Sequence, residues 1–138
     1  ASTPQERLKT MRILAKKIPV VCRLDPLIYP LNIKNIRKIV KVLKEAGVRQ
    51  VITSTYKVKP DNLKRMVTVF SEYGQLWQKL YLGEGERKGS YIYLPYRLRK
   101  ELIILVRKET LKQNMEFSSC REGMADLNTA VCDGSSFF

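Results

Sequence analysis

Histidine is absent from the 138 residues of this sequence, and cysteine occurs only three times. Without histidine, the chain cannot build a Ser-His-Asp triad, a Cys-His pair or a histidine-bearing metal site from its own residues. Its cysteines, Cys22, Cys120 and Cys132, lack the close spacing that structural zinc and iron–sulfur clusters require. Most of the familiar hydrolases are therefore excluded.

Long apolar runs are also missing. Residues 102–106 (LIILV) form one of the longest, and they are far too short to span a membrane. No signal-peptide pattern is present at residues 5–7, which lead into an amphipathic helix. Glycine (7) and proline (6) are sparse and 44% of the residues are hydrophobic, which is typical of a globular domain. We expect one cytoplasmic domain with no membrane partner.

Acidic residues are few: 13 against 26 lysines and arginines, for a net charge of +13. Such a surplus attracts polyanions and predicts salt-sensitive binding to nucleic acid. The alternative is a soluble, heat-adapted protein whose lysine-rich helix faces are simply solvated. Taken alone, the charge favours this alternative, because runs of charge usually mark solvent-exposed faces.

Apolar residues follow helical and strand spacings in the order α-β-α-β-α-α-β. Thr3, Pro4 and Glu6 predict a capping box at the start of the first helix. The predicted strands cover residues 20–24, 48–56 and 115–120.

Local signals mark the ends of these elements. The first strand is expected to stop at Asp25-Pro26, and Asp61 is expected to cap the third helix. Gly74 is expected to break that helix, and Asn114 to end the last one in a left-handed conformation.

Strands that alternate with helices predict an α/β fold with parallel strands. Three strands cannot close a barrel, and parallel sheets are normally covered on both faces. We therefore expect the C-terminal portion of a partial (β/α) TIM-like barrel. Residues 1–82 would supply two βα units, residues 83–95 a long functional loop, and residues 96–138 the last helix, strand and irregular tail. A small, complete α/β sandwich is the alternative.

Polar residues follow all three predicted strands, at residues 23–25, 54–57 and 119–122. The working residues of (β/α) barrels lie at the C-terminal ends of their strands. The repetition therefore favours an active-site rim over simple strand termination.

Four segments carry a family resemblance: residues 19–32 (PVVCRLDPLIYPLN), 54–57 (STYK), 80–95 (LYLGEGER followed by GSYIYLP at 89–95) and 120–135 (CREG followed by LNTAVCDGS at 127–135). In this order they resemble the spore-photoproduct-lyase-like branch of the radical S-adenosylmethionine (SAM) enzymes, the DNA repair photolyase group. They look like its fifth strand with the following loop, its sixth strand end, the loop after the barrel and the C-terminal signature. Ser136 stands where a histidine would be expected.

The resemblance implies the C-terminal part of a radical SAM barrel. In this family a [4Fe–4S] cluster reduces S-adenosylmethionine to an adenosyl radical, and the namesake lyase uses that radical to reverse a thymine photodimer. The family's CxxxCxxC cluster motif lies in the N-terminal half of the barrel and does not occur in this sequence. We therefore expect the chain alone to hold neither cofactor and to be inactive without the missing N-terminal half.

Five residues are candidates for cofactor binding: Arg23, Asp25, Ser54, Thr55 and Tyr56. The guanidinium of Arg23 could fork onto the carboxylate of S-adenosylmethionine, or instead form an internal ion pair with Asp25 or Glu122. Asp25 opens a proline-bearing loop that would hold its backbone rigidly, and an ordinary turn is the alternative. The group at residues 54–56 could contact the adenosyl moiety or merely cap the following helix.

Basic and aromatic residues together predict a nucleic-acid site: Lys57, Lys59, Arg87, Lys88, Tyr91 and Tyr93. The cations would hold phosphates while a tyrosine stacks on an exposed base. Packing of the tyrosines against the barrel is the favoured alternative.

The last candidates follow the third strand and are Cys120, Arg121, Glu122 and Cys132. The two cysteines could pair, ligate a metal or donate hydrogen to a radical, and a reduced structural role is the default. Cys22 is expected in the core.

Two functional hypotheses follow. The first is the C-terminal part of a [4Fe–4S]-dependent radical SAM lyase that repairs UV-damaged DNA, with the other half of the barrel and DNA as partners. The second is a non-catalytic, basic nucleic-acid-binding domain. A second copy of the chain could also pair with an open sheet edge.

Overall fold

The computed structural model describes residues 2–137. Its helices are α1 (Pro4–Leu14), α2 (Ile36–Glu45), α3 (Pro60–Val69), α4 (Gly74–Trp77) and α5 (Tyr96–Lys112), and its strands are β1 (Val21–Leu27), β2 (Gln50–Thr55), β3 (Glu86–Lys88), β4 (Tyr91–Tyr93) and β5 (Glu116–Ser119). Strands β1, β2 and β5 form a parallel sheet in the order β1-β2-β5. The predicted α/β class, with parallel strands alternating with helices, is confirmed.

The segment predicted as a long loop contains a β-hairpin. Strands β3 and β4 pair antiparallel, and an isolated bridge between Val58 and Ile92 attaches the hairpin to the chain that leaves β2. Gly89 makes the hairpin turn with a φ of 63°. Residues 83–95 are therefore a hairpin anchored close to the C-terminal end of the parallel sheet.

The first strand runs past its predicted stop. Strand β1 includes Asp25 and Pro26 and ends at Leu27, with an irregular register between Leu24 and Leu27. Proline cannot donate a ladder hydrogen bond and is therefore tolerated on an edge strand or at a bulge. Pro26 meets both conditions, because β1 lies at the edge of the sheet.

Helix ends agree in part with the sequence signals. The capping box at the start of α1 and the left-handed Asn114 (φ 53°) after α5 are confirmed. Two predicted positions are wrong. Helix α3 begins at Pro60, which suits the first helical position, so that Asp61 lies in its first turn and does not cap it. Helix α3 is interrupted at Phe70, and Gly74 does not break it but begins α4.

Side chains alternate between the two faces of the parallel sheet. One face carries Val51 and Phe117, both fully buried, and is covered by α5, which also packs against α2. These contacts form the hydrophobic core. No helix within residues 2–137 has both the length and the apolar character needed to cross a bilayer.

The opposite face carries Arg23, Gln50, Ile52, Ser118 and Cys120, and we call it the tail face. Residues 128–136 form the tail, and part of it lies across this face. The Gln50 amide donates to the Ser118 hydroxyl at 2.8 Å and to the Val131 carbonyl at 2.9 Å. A polar face and a polar tail thus cover each other where a barrel interior would be expected.

The two edges of this sheet differ. Along β5, the Phe117 N–H donates to the Thr129 hydroxyl, the Thr129 N–H donates to the Phe117 carbonyl, and the Ser119 N–H donates to the Asn128 side chain. The tail therefore satisfies the outer edge of β5. Strand β1 pairs only with β2, so within residues 2–137 its outer edge has no strand partner.

The contact between α1 and the turn after α2 can be tested at Gly47. This residue has a φ of 85°, and a Cβ built there would lie 2.6 Å from the Cβ of Ala15. Gly89 has a similar φ of 63° but open space around it. Both Gly→Ala changes should cost about 1–2 kcal/mol of backbone strain, and Gly47→Ala should cost about 1–3 kcal/mol more through overpacking. Urea unfolding measures both, and equal losses would contradict the packing of α1.

Candidate functional site

The C-terminal ends of the three parallel strands lie side by side. In the register of the sheet, Arg23 of β1 is paired with Ile52 of β2, and Ile52 is paired with Ser118 of β5. The next positions along β2 and β5 continue this register. Alternation places Asp25, Ser54 and Cys120 on the tail face, one step beyond that row. The structure thus brings these side chains together in one group, which we call the rim.

Arg23 lies in the rim with half of its side chain exposed. Its Nη2 and Nε atoms donate to Oδ2 of Asp25 at 2.9 and 3.2 Å. A hydrogen bond with the Cys120 thiol, reinforced by Asp25, raises the pKa of Arg23 above its ordinary value. Of the two ion pairs considered from the sequence, the structure forms the one with Asp25 and leaves Glu122 to other partners.

The three residues predicted to contact the adenosyl group differ in availability. The N–H and hydroxyl of Thr55 both donate to Oε1 of Glu122, at 2.7 and 3.0 Å, and Thr55 is buried. Ser54 is partly exposed on the tail face. The Tyr56 carbonyl accepts a hydrogen bond from the Tyr81 hydroxyl at 3.0 Å. Only Ser54 and the partly exposed side chain of Tyr56 remain open to a ligand.

The hydroxyl of Tyr81 acts as a donor because it stays protonated. Burial, followed by the nearby Tyr56 and Glu122, raises the pKa of Tyr81 well above its ordinary value. This hydrogen bond fixes the backbone at the end of β2 from the π-helical turn Gln78–Gly83.

A buried ion pair between Arg99 and Glu122 lies next to the rim. Both side chains are fully buried, and Nη1 of Arg99 lies 3.1 Å from Oε2 and 2.8 Å from the backbone carbonyl of Glu122. Arg99 also donates to the Leu94 carbonyl and to the Glu86 carboxylate. On the other side, Lys57 donates to Oε1 of Glu122 at 2.7 Å. The charges of this network therefore balance: the cations Arg99 and Lys57 are paired with the anions Glu86 and Glu122.

Arg99 was not singled out in the sequence analysis. Its position contained a signal, however. In α5 it lies three, four and seven residues before Leu102, Ile103 and Val106, which are buried. A charged residue in an apolar helical stripe predicts a buried cation that needs an acidic partner.

The basic and aromatic candidates meet around the hairpin. Tyr93 is buried, and the cationic groups of Lys57, Lys88 and Arg99 lie 5.0–5.3 Å from its ring centroid. Lys59 lies 5.2 Å from the ring centroid of Tyr91, which is partly exposed. Because the ring of Tyr93 is covered, it fits the packing alternative, whereas Tyr91 remains accessible to a base.

The exposed, basic part of this region is formed by Lys59, Arg87, Lys88 and Tyr91, and we call it the hairpin patch. Lys57 does not belong to it, because its ammonium is engaged by Glu122 and is largely buried. Of the predicted nucleic-acid candidates, Lys57 and Tyr93 are therefore part of the buried structure, whereas the others form the exposed hairpin patch.

Cys120 and Cys132 are free, partly buried thiols. Burial, followed by the neighbouring Cys120 thiol, raises the pKa of Cys132. Arg121 between Cys120 and Glu122 is exposed and has a φ of 60°. Within residues 2–137, no group of three or more cysteine or acidic side chains is placed to hold a metal ion.

Comparisons of the chain with protein-family models, curated proteins and solved structures gave no match. The radical SAM resemblance therefore remains a prediction. Function has to be argued from the residues themselves.

Because Glu122 belongs to this buried network, we expect Glu122→Gln to lower the free energy of unfolding by an unusually large amount. This change leaves Arg99 and Lys57 without their shared anion, and removing one partner of a buried ion pair costs about 3–5 kcal/mol. Glu101→Gln is the matched control, because Glu101 pairs with Arg97 at 3.3 Å on the exposed surface. The control should change the free energy of unfolding by less than about 1 kcal/mol. Similar midpoints for the two variants in urea would refute the role of the network.

Proposed function

We propose that this chain is the C-terminal part of a partial (β/α) barrel of the radical SAM type, in a lyase that acts on UV-damaged DNA. The convergence of Arg23, Asp25 and Ser54 at the C-terminal ends of adjacent parallel strands carries this proposal. In (β/α) barrels the chemistry takes place at that end of the strands.

The sheet edges support a partner on one side only. The tail occupies the outer edge of β5, whereas β1 can accept a further parallel strand. Beside β1 lies a cleft of about 530 Å³ between α1 and α2, lined by apolar side chains that include Leu8, Met11, Ile39 and Val42. An N-terminal half of the barrel would extend the sheet at β1 and fill this cleft.

The rim fits one portion of S-adenosylmethionine. Its methionine moiety carries a carboxylate and an ammonium, which Arg23 and Asp25 can hold by charge-assisted hydrogen bonds. The Ser54 hydroxyl and the Tyr56 side chain can face the adenosyl portion, whereas Thr55 cannot, since both of its donors are used by Glu122.

The [4Fe–4S] cluster does not fit this chain. The cysteines are dispersed in sequence, and in the described part of the chain they form no group of three ligands. Cluster ligands would have to come from the N-terminal half. Together, the cluster and S-adenosylmethionine supply a one-electron route to hydrogen abstraction, while the residues of this chain would orient the amino-acid end of the cofactor.

Arg23 provides the test of the proposed cofactor site. In a gene product that includes the proposed N-terminal half, reconstituted anaerobically with iron and sulfide, Arg23→Gln should weaken binding of S-adenosylmethionine at least about tenfold, equivalent to one lost charge-assisted hydrogen bond. Arg37→Gln, on the exposed surface of α2, is the control. Binding is measured by equilibrium dialysis and turnover by release of 5′-deoxyadenosine. A product with no cluster and no cleavage of S-adenosylmethionine would overturn the proposal.

A second function, binding of nucleic acid without catalysis, is favoured by the hairpin patch. The accessible ring of Tyr91 lies against Lys59 and opposite Lys88 in the hairpin, an arrangement that suits a single strand with unstacked bases.

The hairpin patch predicts salt-dependent binding of a single-stranded oligonucleotide by the chain without any cofactor. The double change Arg87→Ala and Lys88→Ala should reduce the slope of log affinity against log salt by up to about 1.4, or about 0.7 per lost phosphate contact. The control is Lys41→Ala with Lys108→Ala, which removes the same charge from exposed helix surfaces. Equal loss in both double variants would show that net charge, and not the patch, binds the strand.

A further inference from the structure

Cys120 and Cys132 lie near each other on the tail face, because Cys120 is two residues beyond Ser118, Cys132 follows Val131, and the Gln50 amide is hydrogen-bonded to both Ser118 and Val131. Cys120 directly follows β5, and its N–H donates to the Thr53 carbonyl at 3.0 Å, which keeps it in register with the sheet. Cys132 follows Val131, whose carbonyl accepts from Gln50 and whose N–H donates to the Ser136 hydroxyl at 2.9 Å.

Two further contacts fix this part of the tail. A Cβ built on Gly134 would lie 3.2 Å from the nearest methyl group of Val21, so the tail passes directly over the start of β1. Thr129 is hydrogen-bonded to the edge of β5. The segment that carries Cys132 is therefore held at both sides, and its thiol neighbours that of Cys120.

Arg23 adds a positive charge to this pair. Its guanidinium lies beside Cys120 and remains half exposed. A half-exposed cation beside the sulfur can attract an anionic external disulfide such as oxidised glutathione. Cys22 lies on the other face of β1, away from the other two thiols, and burial raises its pKa.

We propose that Cys120 and Cys132 form a reversible dithiol–disulfide pair that is oxidised by a low-molecular-weight disulfide and, once oxidised, ties the tail to the end of β5. Formation of this disulfide does not require the proposed lyase function, although Arg23 and the rim are common to both. Its consequence is structural: the disulfide fixes the tail to Cys120 in the rim.

The exchange takes place in two steps. The Cys120 thiolate attacks one sulfur of the external disulfide, whose S–S bond breaks and releases one small thiol. Deprotonated Cys132 then attacks Sγ of Cys120, breaks the mixed disulfide and releases the second small thiol. The two protons of the protein thiols end on the released thiols, and two electrons pass to the external disulfide. Cys120 reacts first because it is the thiol that lies beside the guanidinium of Arg23.

The test exposes the folded chain to oxidised glutathione at neutral pH, followed by alkylation and peptide mapping by mass spectrometry. Of the three thiols, only that of Cys22 should remain free, and a peptide linked through Cys120 and Cys132 should appear. The thermal midpoint should rise by several degrees on oxidation and return on reduction.

Variants separate the two steps. Cys132→Ser should accumulate glutathione on Cys120, because the resolving thiol is missing. Arg23→Gln should slow this first step severalfold, and Arg23→Lys should restore most of the rate. Cys22→Ser is the matched control and should oxidise as the unchanged chain does.

Peptide mapping of the thiols in the unchanged chain gives a result whether or not the variants fold. A disulfide that includes Cys22, or three free thiols in the folded chain after exposure, would overturn the proposal. So would a Cys132→Ser chain on which Cys120 takes up no glutathione.

Discussion

The guanidinium of Arg99 is fully buried and has four acceptor contacts, to the Leu94 carbonyl, the Glu86 carboxylate, and the carbonyl and carboxylate of Glu122. These acceptors lie on three parts of the chain: the residues just before α5, the hairpin and the turn after β5. A buried charge is tolerated only when it is paired and fully hydrogen-bonded. Satisfying this one cation therefore requires three distant segments to meet at the C-terminal end of the sheet.

The same network decides which polar residues at the strand ends remain free for function. Glu122 takes both donors of Thr55 and the ammonium of Lys57, so these two serve the fold. Arg23 and Ser54 lie on the tail face of the sheet and stay at least partly exposed. Polar side chains that alternate at the end of a strand thus divide into an internal group, which holds the loops together, and an external group, which can meet a ligand.

Sequence patterns correctly predicted those structural features that depend on residues close together in the chain. The capping box of α1 and the left-handed Asn114 involve contacts within a few positions, and both are present. The hairpin was missed because each of its strands has only three residues, too few to show an alternating pattern, and because its attachment through Val58 and Ile92 joins residues far apart in the chain. The network was missed for the second of these reasons, since Arg99 and Glu122 are joined only by tertiary structure. In the rim, residue types were foreseeable, but which of them are already hydrogen-bonded was not.

The unequal edges of the sheet also restrict how it can grow. Because the tail satisfies the outer N–H groups of β5, a further strand can pair only with β1. Pairing with a second copy of the chain would bring together two molecules that each carry a charge of +13. Like charges within about 10 Å of each other are not fully screened at ordinary ionic strength. The charge therefore favours an unlike, less basic strand at β1, and it leaves the hairpin patch, at the other end of the network, to face a polyanion.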